Sequence, residues 1–364
     1  MRLIFVLWLL LSSAFCFASP TNIQFATRFE HLSLEDGLSQ ISIFTILQDS
    51  KGFLWFGTRD GLNRYDGYNF KVFRHDPLNP STISDNYIRT LFIDSKDRLW
   101  IGTYSGGLNL FDAQTEHFIR FTHDASNPHS LSHNSVSTIH EDSKGTLWIG
   151  TRGGGLNQLE EPSSQLREPL GRFKRFKHFD ANPSSLSNDY IYAIVEDITG
   201  NLWVGTRGGL NHFDIRQQAF NHYKHQQADP NSLSHNRVYA IHESTKGNLW
   251  LGTPNGINLF DVKTKQVKRF NHQENDPNSL SHNSITSFFA ESNDTLLIGT
   301  YGGGLNRYST KHNRFVHFKH DADDNASLSH NVVRSIYKDK QGALWVGTQG
   351  GGINKLDNQK KQFG

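Results

Sequence analysis

The stretch Gly145-Thr-Leu-Trp-Ile-Gly-Thr-Arg-Gly-Gly-Gly-Leu-Asn157 reads as a strand, a tight glycine turn and the start of a returning strand. Its run Leu147-Trp-Ile-Gly-Thr151 is apolar on consecutive residues, so both faces must be covered. Upstream, residues 135–141 form a short β-rich run. Asp142-Ser-Lys-Gly145 then turns the chain, since Asp opens such turns and Gly tolerates the positive φ they need. Downstream, Leu156-Asn-Gln-Leu159 starts a third strand and Phe173-Lys-Arg-Phe176 supplies a fourth. Four antiparallel strands make one small sheet.

The same unit is written seven times. Its Gly-Thr pairs fall at Gly57-Thr58, Gly102-Thr103, Gly150-Thr151, Gly205-Thr206, Gly252-Thr253, Gly299-Thr300 and Gly347-Thr348, spaced by 45, 48, 55, 47, 47 and 48 residues. That period indicates a propeller or a related array, and four antiparallel strands per repeat make each sheet a blade. A lone blade with apolar side chains on both faces is unstable until neighbours sandwich it. The glycine of each Leu-Trp-x-Gly-Thr lies in mid-strand, where the missing side chain lets an adjacent sheet approach closely. Trp55, Trp100, Trp148, Trp203, Trp250 and Trp345 precede it. Burying a tryptophan removes ~150–250 Å² from water, worth about 4–6 kcal/mol as an upper bound. Leu297 takes that place in the sixth copy, which predicts looser packing there.

The expected fold is therefore an all-β, seven-bladed β-propeller over residues 19–364. A phenylalanine-led fourth strand recurs, ending in His75, His123, His178, His225, His272 and His320. The repetition predicts one hydrogen bond made over and over. A further copy, Phe25-Ala-Thr-Arg-Phe-Glu-His31, precedes the first repeat, while the seventh stops at Phe363-Gly364. The N-terminal segment is thus expected to complete the last blade, leaving no open edge at the seam. Phe363 also stands in register to begin a fourth strand of its own, as it would in the front part of a longer protein.

Composition agrees. The chain has 364 residues with 31 Gly, 26 Phe and one Met, a balance suited to short aromatic strands rather than long helices. Its 37 basic and 35 acidic residues form no basic stripe, which argues against nucleic acid. Residues 1–18 carry the grammar of a signal peptide: Arg2, an apolar run too short to span a bilayer comfortably, then small residues. Cleavage after Ala18 would remove Cys16, the single cysteine, and point to a periplasmic or secreted chain.

Laid out as Asp-x-x-Gly-x-Leu-Trp-hydrophobic-Gly-Thr-x-x-Gly-Leu-Asn, the sequence resembles the two-component regulator propeller repeat over nearly all of residues 22–364. The resemblance implies a periplasmic ligand-sensing module, the input of a hybrid histidine kinase or diguanylate cyclase. In that family two such propellers precede an immunoglobulin-like domain, a membrane helix and the cytoplasmic enzyme. This sequence contains one propeller and no kinase or cyclase motif, so the resemblance carries over the sensing role and not the output.

Two rings of residues are expected to share one face. One follows each Gly-Thr: Arg59, Tyr104, Arg152, Arg207, Pro254, Tyr301 and Gln349. The other lies in the Ser-Leu-Ser-His-Asn loop entering each blade: Gln40, Asp85, His133, Asn188, His235, His282 and His330. Arginine forks grip carboxylates or sulfates and aromatic rings stack on sugars, so this mouth suits a small anionic or carbohydrate ligand. Side chains of such loops also satisfy their own backbone, which is the structural alternative. Equivalent histidines on separate blades stand too far apart to share a zinc ion, so no metal or other cofactor is expected. The sequence has no nucleophile elbow or phosphate loop and is not expected to be an enzyme. The competing functions are a protein-binding scaffold and a polysaccharide-active propeller.

Overall fold

The computed structural model describes residues 28–160, 171–244 and 247–356. The signal segment with Cys16, the early Phe25 and the terminal Phe363 lie outside them. Seven four-stranded antiparallel sheets are arranged around an axis. Blade 3 runs from inside outward as Val136–Glu141, Leu147–Thr151, Leu156–Glu160 and Arg172–Phe176. Inner strands touch their neighbours all the way round, including that of blade 7, Val333–Lys338, against that of blade 1, Ile43–Gln48. Among the described residues the one helical element is a short 3-10 turn, Leu34–Asp36.

The mid-strand glycines set the blade spacing. A Cβ on Gly150 would lie 2.6 Å from Ile191 Cγ2 of blade 4, and one on Gly102 would lie 2.6 Å from Val136 Cγ1 of blade 3. On Gly347 it would meet Ile43 Cγ2 of blade 1 at 2.7 Å, so the seam is packed like every other joint. Each branched residue sitting on such a glycine (Ile43, Ile88, Val136, Ile191, Val238, Ile285 and Val333) has no exposed surface.

All six repeat tryptophans are buried, and in five of them the indole N–H donates to an aspartate. Trp148 Nε1 donates to Asp142 Oδ2 at 2.9 Å; Trp55, Trp100, Trp203 and Trp345 do the same to Asp49, Asp94, Asp197 and Asp339. The other carboxylate oxygen of Asp142 accepts from the turn amides of Lys144 and Thr146. One aspartate thus closes the turn and orients the tryptophan that faces the next blade. Ser244 stands at that position in blade 5 and Glu291 in blade 6.

In blade 6 Leu297 is 2% exposed, as buried as Trp55, in a cluster with Phe29 of blade 7 that corresponds to the contact of Trp100 with Phe173.

The N-terminal strand Glu30–Leu32 is the outer strand of blade 7, pairing with Ile353–Leu356 through Glu30↔Lys355, His31↔Asn354 and Leu32↔Ile353. Its register differs from the sequence expectation. The strand-end histidines His75, His123, His178, His225, His272 and His320 all bond through Nδ1 to the carbonyl eight residues on, as expected. His31 does not belong to that series. Its Nε2 bonds to the Ser327 carbonyl, and the Phe29 amide donates to the Ala326 carbonyl just as that of Phe118 donates to Ser81. Phe29 is therefore the leading phenylalanine of this copy, and His31 occupies the place of Arg120 and Arg175, which reach the same loop of their own blades.

Two substitutions test this frame by chemical denaturation. Gly150→Ala should cost about 1–3 kcal/mol through overpacking against Ile191. Asp142→Ala should cost about 1–3 kcal/mol by leaving the buried Trp148 indole without an acceptor. A change within about 0.5 kcal/mol for either would show that the joint has slack.

Candidate functional site

The start of each inner strand and the end of the next strand lie side by side, as in Val136↔Thr151 and Ile191↔Thr206. The entry loops and the residues after Gly-Thr therefore share one face. Adjacent blades also meet there, with bridges Arg152↔Tyr190, Tyr301↔Val332 and Ser42↔Gln349. Glycine turns fasten six of the seven blades to the entry loop of the following one: Gly107 N donates to the Asn134 carbonyl, Gly304 N to Asn331 and Gly352 N to Ile41.

The entry-loop ring is committed to its own backbone. His133 Nδ1 accepts from the Ser135 amide at 2.9 Å, and His235, His282 and His330 accept likewise two residues on. Gln40, Asp85 and Asn188 do so with side-chain oxygens. The residue type varies while the acceptor role is constant. Burial foremost holds His133, His235 and His330 below the usual histidine range, with neighbouring basic groups pushing the same way.

The other ring behaves differently. Arg152 and Tyr301 line a cavity of about 440 Å³ with Tyr192, Tyr239, Arg334 and residues 284–286, drawn from blades 3 to 7. None of the four histidines lines it. Tyr104 stacks on Tyr87 with centroids 5.0 Å apart, and Arg59 lies over the Tyr87 ring. Arg207 lies over Tyr190, and Gln349 accepts from Arg334 Nε at 2.8 Å. Pro254 is half-buried in blade 5 and joins none of these contacts.

The sequence reasoning missed the deeper layer. Beyond each buried Ile or Val sits one further residue: Phe44, Arg89, Ser137, Tyr192, Tyr239, Thr286 or Arg334. In six blades the strand register slips across this position, for example between Ile88 and Thr90 and between Val333 and Ser335. Such a bulge inserts an extra residue and re-aims its side chain. At five of these seven positions the residue is aromatic or arginine, and they make ring contacts within a blade or with the adjacent one. Arg89 lies over Tyr87 and Tyr104, Arg152 over Tyr192, and Arg334 over Tyr301 and Phe44, at 4.7–5.8 Å. Tyr192 meets Tyr239 edge-on.

Electrostatically this layer is one-sided. Burial foremost, then the charge of Arg152 and also that of Arg334, brings the Arg89 guanidinium down to about 10. Arg334 is lowered by burial first, with Arg152 and Arg59 pushing the same way. Nε of Arg89 and Nε of Arg152 are buried with no hydrogen-bond partner. Among the described residues no group of three or more His, Cys, Asp or Glu side chains converges as a metal site.

Comparison with known proteins gives the setting. The repeat described as "Two component regulator propeller" matches residues 37–60, 82–105, 130–153, 185–208, 232–255 and 327–350. The copy carrying Leu297 is not among these. A 56-residue stretch is 50% identical to Histidine kinase P4 of Formosa agariphila, covering 15% of this chain and 4% of that protein. The chain is 27% identical to the extracellular domain of BT3049 from B. thetaiotaomicron, described as a hybrid two component system, with a TM-score of 0.78 over 91% of this chain and 42% of that one. It is 25% identical to the extracellular domain of BT4673 from the same organism, described as a one component system, with a TM-score of 0.70 over 90% of this chain and 40% of that one. The chain thus spans about two fifths of the length of these solved relatives.

Histidines kept neutral in the fold give a pH signature. The unfolded chain protonates them near pH 6.5 and the folded chain only lower, so the unfolded state binds more protons as pH falls. Their stabilising contribution is complete above about pH 6.5 and declines below it. The melting temperature should drop between about pH 7 and pH 5.5. His133→Asn with His235→Asn, which keeps the acceptor as Asn188 does, should flatten that slope; an unchanged slope would contradict the assignment.

Proposed function

Starting from a chain that belongs to the two component regulator propeller repeat family, we propose that it is a ligand-binding input module, exported to the periplasm or cell surface and working with a membrane-bound transducer. The transducer would be a histidine kinase or a diguanylate cyclase, and the propeller itself would bind rather than catalyse. Support for the setting comes from the relatives, whose matched portions are extracellular domains of two component and one component systems.

One observation carries the binding role. Nearly every repeated residue on the axial face has a structural job: glycines admit the next blade, entry-loop side chains accept backbone amides, and the asparagines or aspartates at loop ends receive the His amides. The axial residues have no such shared job. They differ from blade to blade and gather arginines and tyrosines around one cavity. Pockets of a few hundred Å³ with aromatic walls and a few polar anchors suit small ligands. A small anionic or carbohydrate ligand there would touch the inner strands of several blades at once. It would draw on the same joints that hold the ring together, and so could favour one ring geometry over another, the requirement for passing a signal.

Thermal-shift screening of the intact chain against oligosaccharides and organic acids tests this. A true ligand at a hundredfold excess over its dissociation constant adds about 2.7 kcal/mol of stability. At least one member of the library should raise the melting temperature, and Tyr301→Ala should reduce that shift. No shift with any compound would favour a protein-binding scaffold.

A further inference from the structure

The geometry points to a compact oxyanion carrying two or more charges as the group held on the axis, gripped by Arg89, Arg152 and Arg334 from blades 2, 3 and 7. This rests on reading the axial face as a ligand site, and it names the chemistry that site selects.

Three features carry it. The first is donor vacancy: Nε of Arg89 and Nε of Arg152 are both buried and bond to nothing. Buried polar groups are nearly always paired, so the Arg152 donor, on a residue that lines the cavity, and the Arg89 donor, on a residue that feels the charges of Arg152 and Arg334, call for an acceptor supplied from outside. The second is the missing counter-charge. Among the described residues none of the three arginines makes an ion pair with a carboxylate, although arginines elsewhere in the chain do. Their partners are rings and, for Arg334, the neutral amide of Gln349. An aromatic face attracts a cation through its quadrupole but leaves the net charge standing. The third is mutual repulsion: Arg152 and Arg334 both disfavour the charge on Arg89.

A fold has no stake in concentrating like charges without a counter-ion, since self-repulsion destabilises the compact state. A guanidinium offers a planar fork that fits sulfate, phosphate or carboxylate oxygens in pairs. Three forks converging from different blades would hold one doubly charged group from several sides. Tyr192 and Tyr239, which line the same cavity, leave an aromatic wall for the body of the ligand. A neutral sugar could use that wall, yet it would leave the three cations as they are. The charge, rather than the rings, is therefore what discriminates.

The test is calorimetric titration of the intact chain at low ionic strength with inorganic pyrophosphate and citrate, using maltose as the neutral control. Wild type should bind at least one anion and ignore maltose. Arg89→Gln and Arg334→Gln should each weaken anion binding at least tenfold, while Arg307→Gln, at a separate salt bridge, should stay within twofold. Without any anion, Arg89→Gln should melt higher than wild type, because an uncompensated charge has gone. Several results would overturn the inference. Anion binding unchanged in both axial variants would mark an adventitious ion only. No binding of either anion, with Arg89→Gln melting lower than wild type, would make the guanidinium a structural prop. Binding of maltose in place of the anions would sink the oxyanion while leaving the sensory reading intact.

Discussion

The structure depends on how closely one sheet approaches the next. A branched residue of each inner strand sits on a glycine of the preceding blade, at distances where even a methyl group would collide. That contact exists only between blades, so no blade reaches its packed state alone. The tryptophans follow the same logic. Each is oriented from within its own blade, where an aspartate fixes the indole in five of them, and buried by the blade beyond it. Stability is therefore a property of the ring. The outer strand Glu30–Leu32 joins the first residues of the fold to the last.

Such a frame explains why the axial face is free to vary. Its entry loops and glycine turns are occupied by bonds that recur in blade after blade. What remains is the residue after each Gly-Thr and the residue after each buried Ile or Val, which the repeat does not fix. The bulge supplies the second of them, because an inserted residue escapes the alternation that would otherwise bury it or pair it. A repeated scaffold thereby yields an unrepeated surface, with Arg89 in blade 2, Tyr192 in blade 4 and Arg334 in blade 7. Ring closure and the proposed binding surface are written on the same inner strands.

How much of this was legible in the sequence differs by residue. The Leu-Trp-x-Gly-Thr strand and its glycine turn announced the blades, because an apolar run with a central glycine admits few other uses. The pairing of the N-terminal segment with the last blade was legible from its phenylalanine and histidine. Its register was not: Phe25 and Phe29 both offer a leading aromatic, and only the bond from the Phe29 amide to Ala326 selects the second. Leu297 in the sixth blade is as buried as the tryptophans it replaces, with Phe29 of the next blade in its cluster. Of the residues singled out by their place after Gly-Thr, Arg152 and Tyr301 line the axial cavity, while Arg59 and Tyr104 pack on Tyr87. Arg89, Tyr192 and Arg334 escaped notice since period-two reasoning fails across a bulge. The signal was there as a variable residue following an invariant branched one. The entry-loop histidines drew attention by chemical type, and the structure gives them the acceptor role that Gln40, Asp85 and Asn188 fill equally well.

Native-state hydrogen exchange on a Phe29→Ala variant tests the interdependence of the blades most directly. If the ring is one cooperative unit, the slowest amides of the inner strands in all seven blades should lose protection by a similar amount. Loss confined to residues 30–32 and 353–356, with blades 2 to 5 untouched, would show that the blades stand independently and would contradict the account.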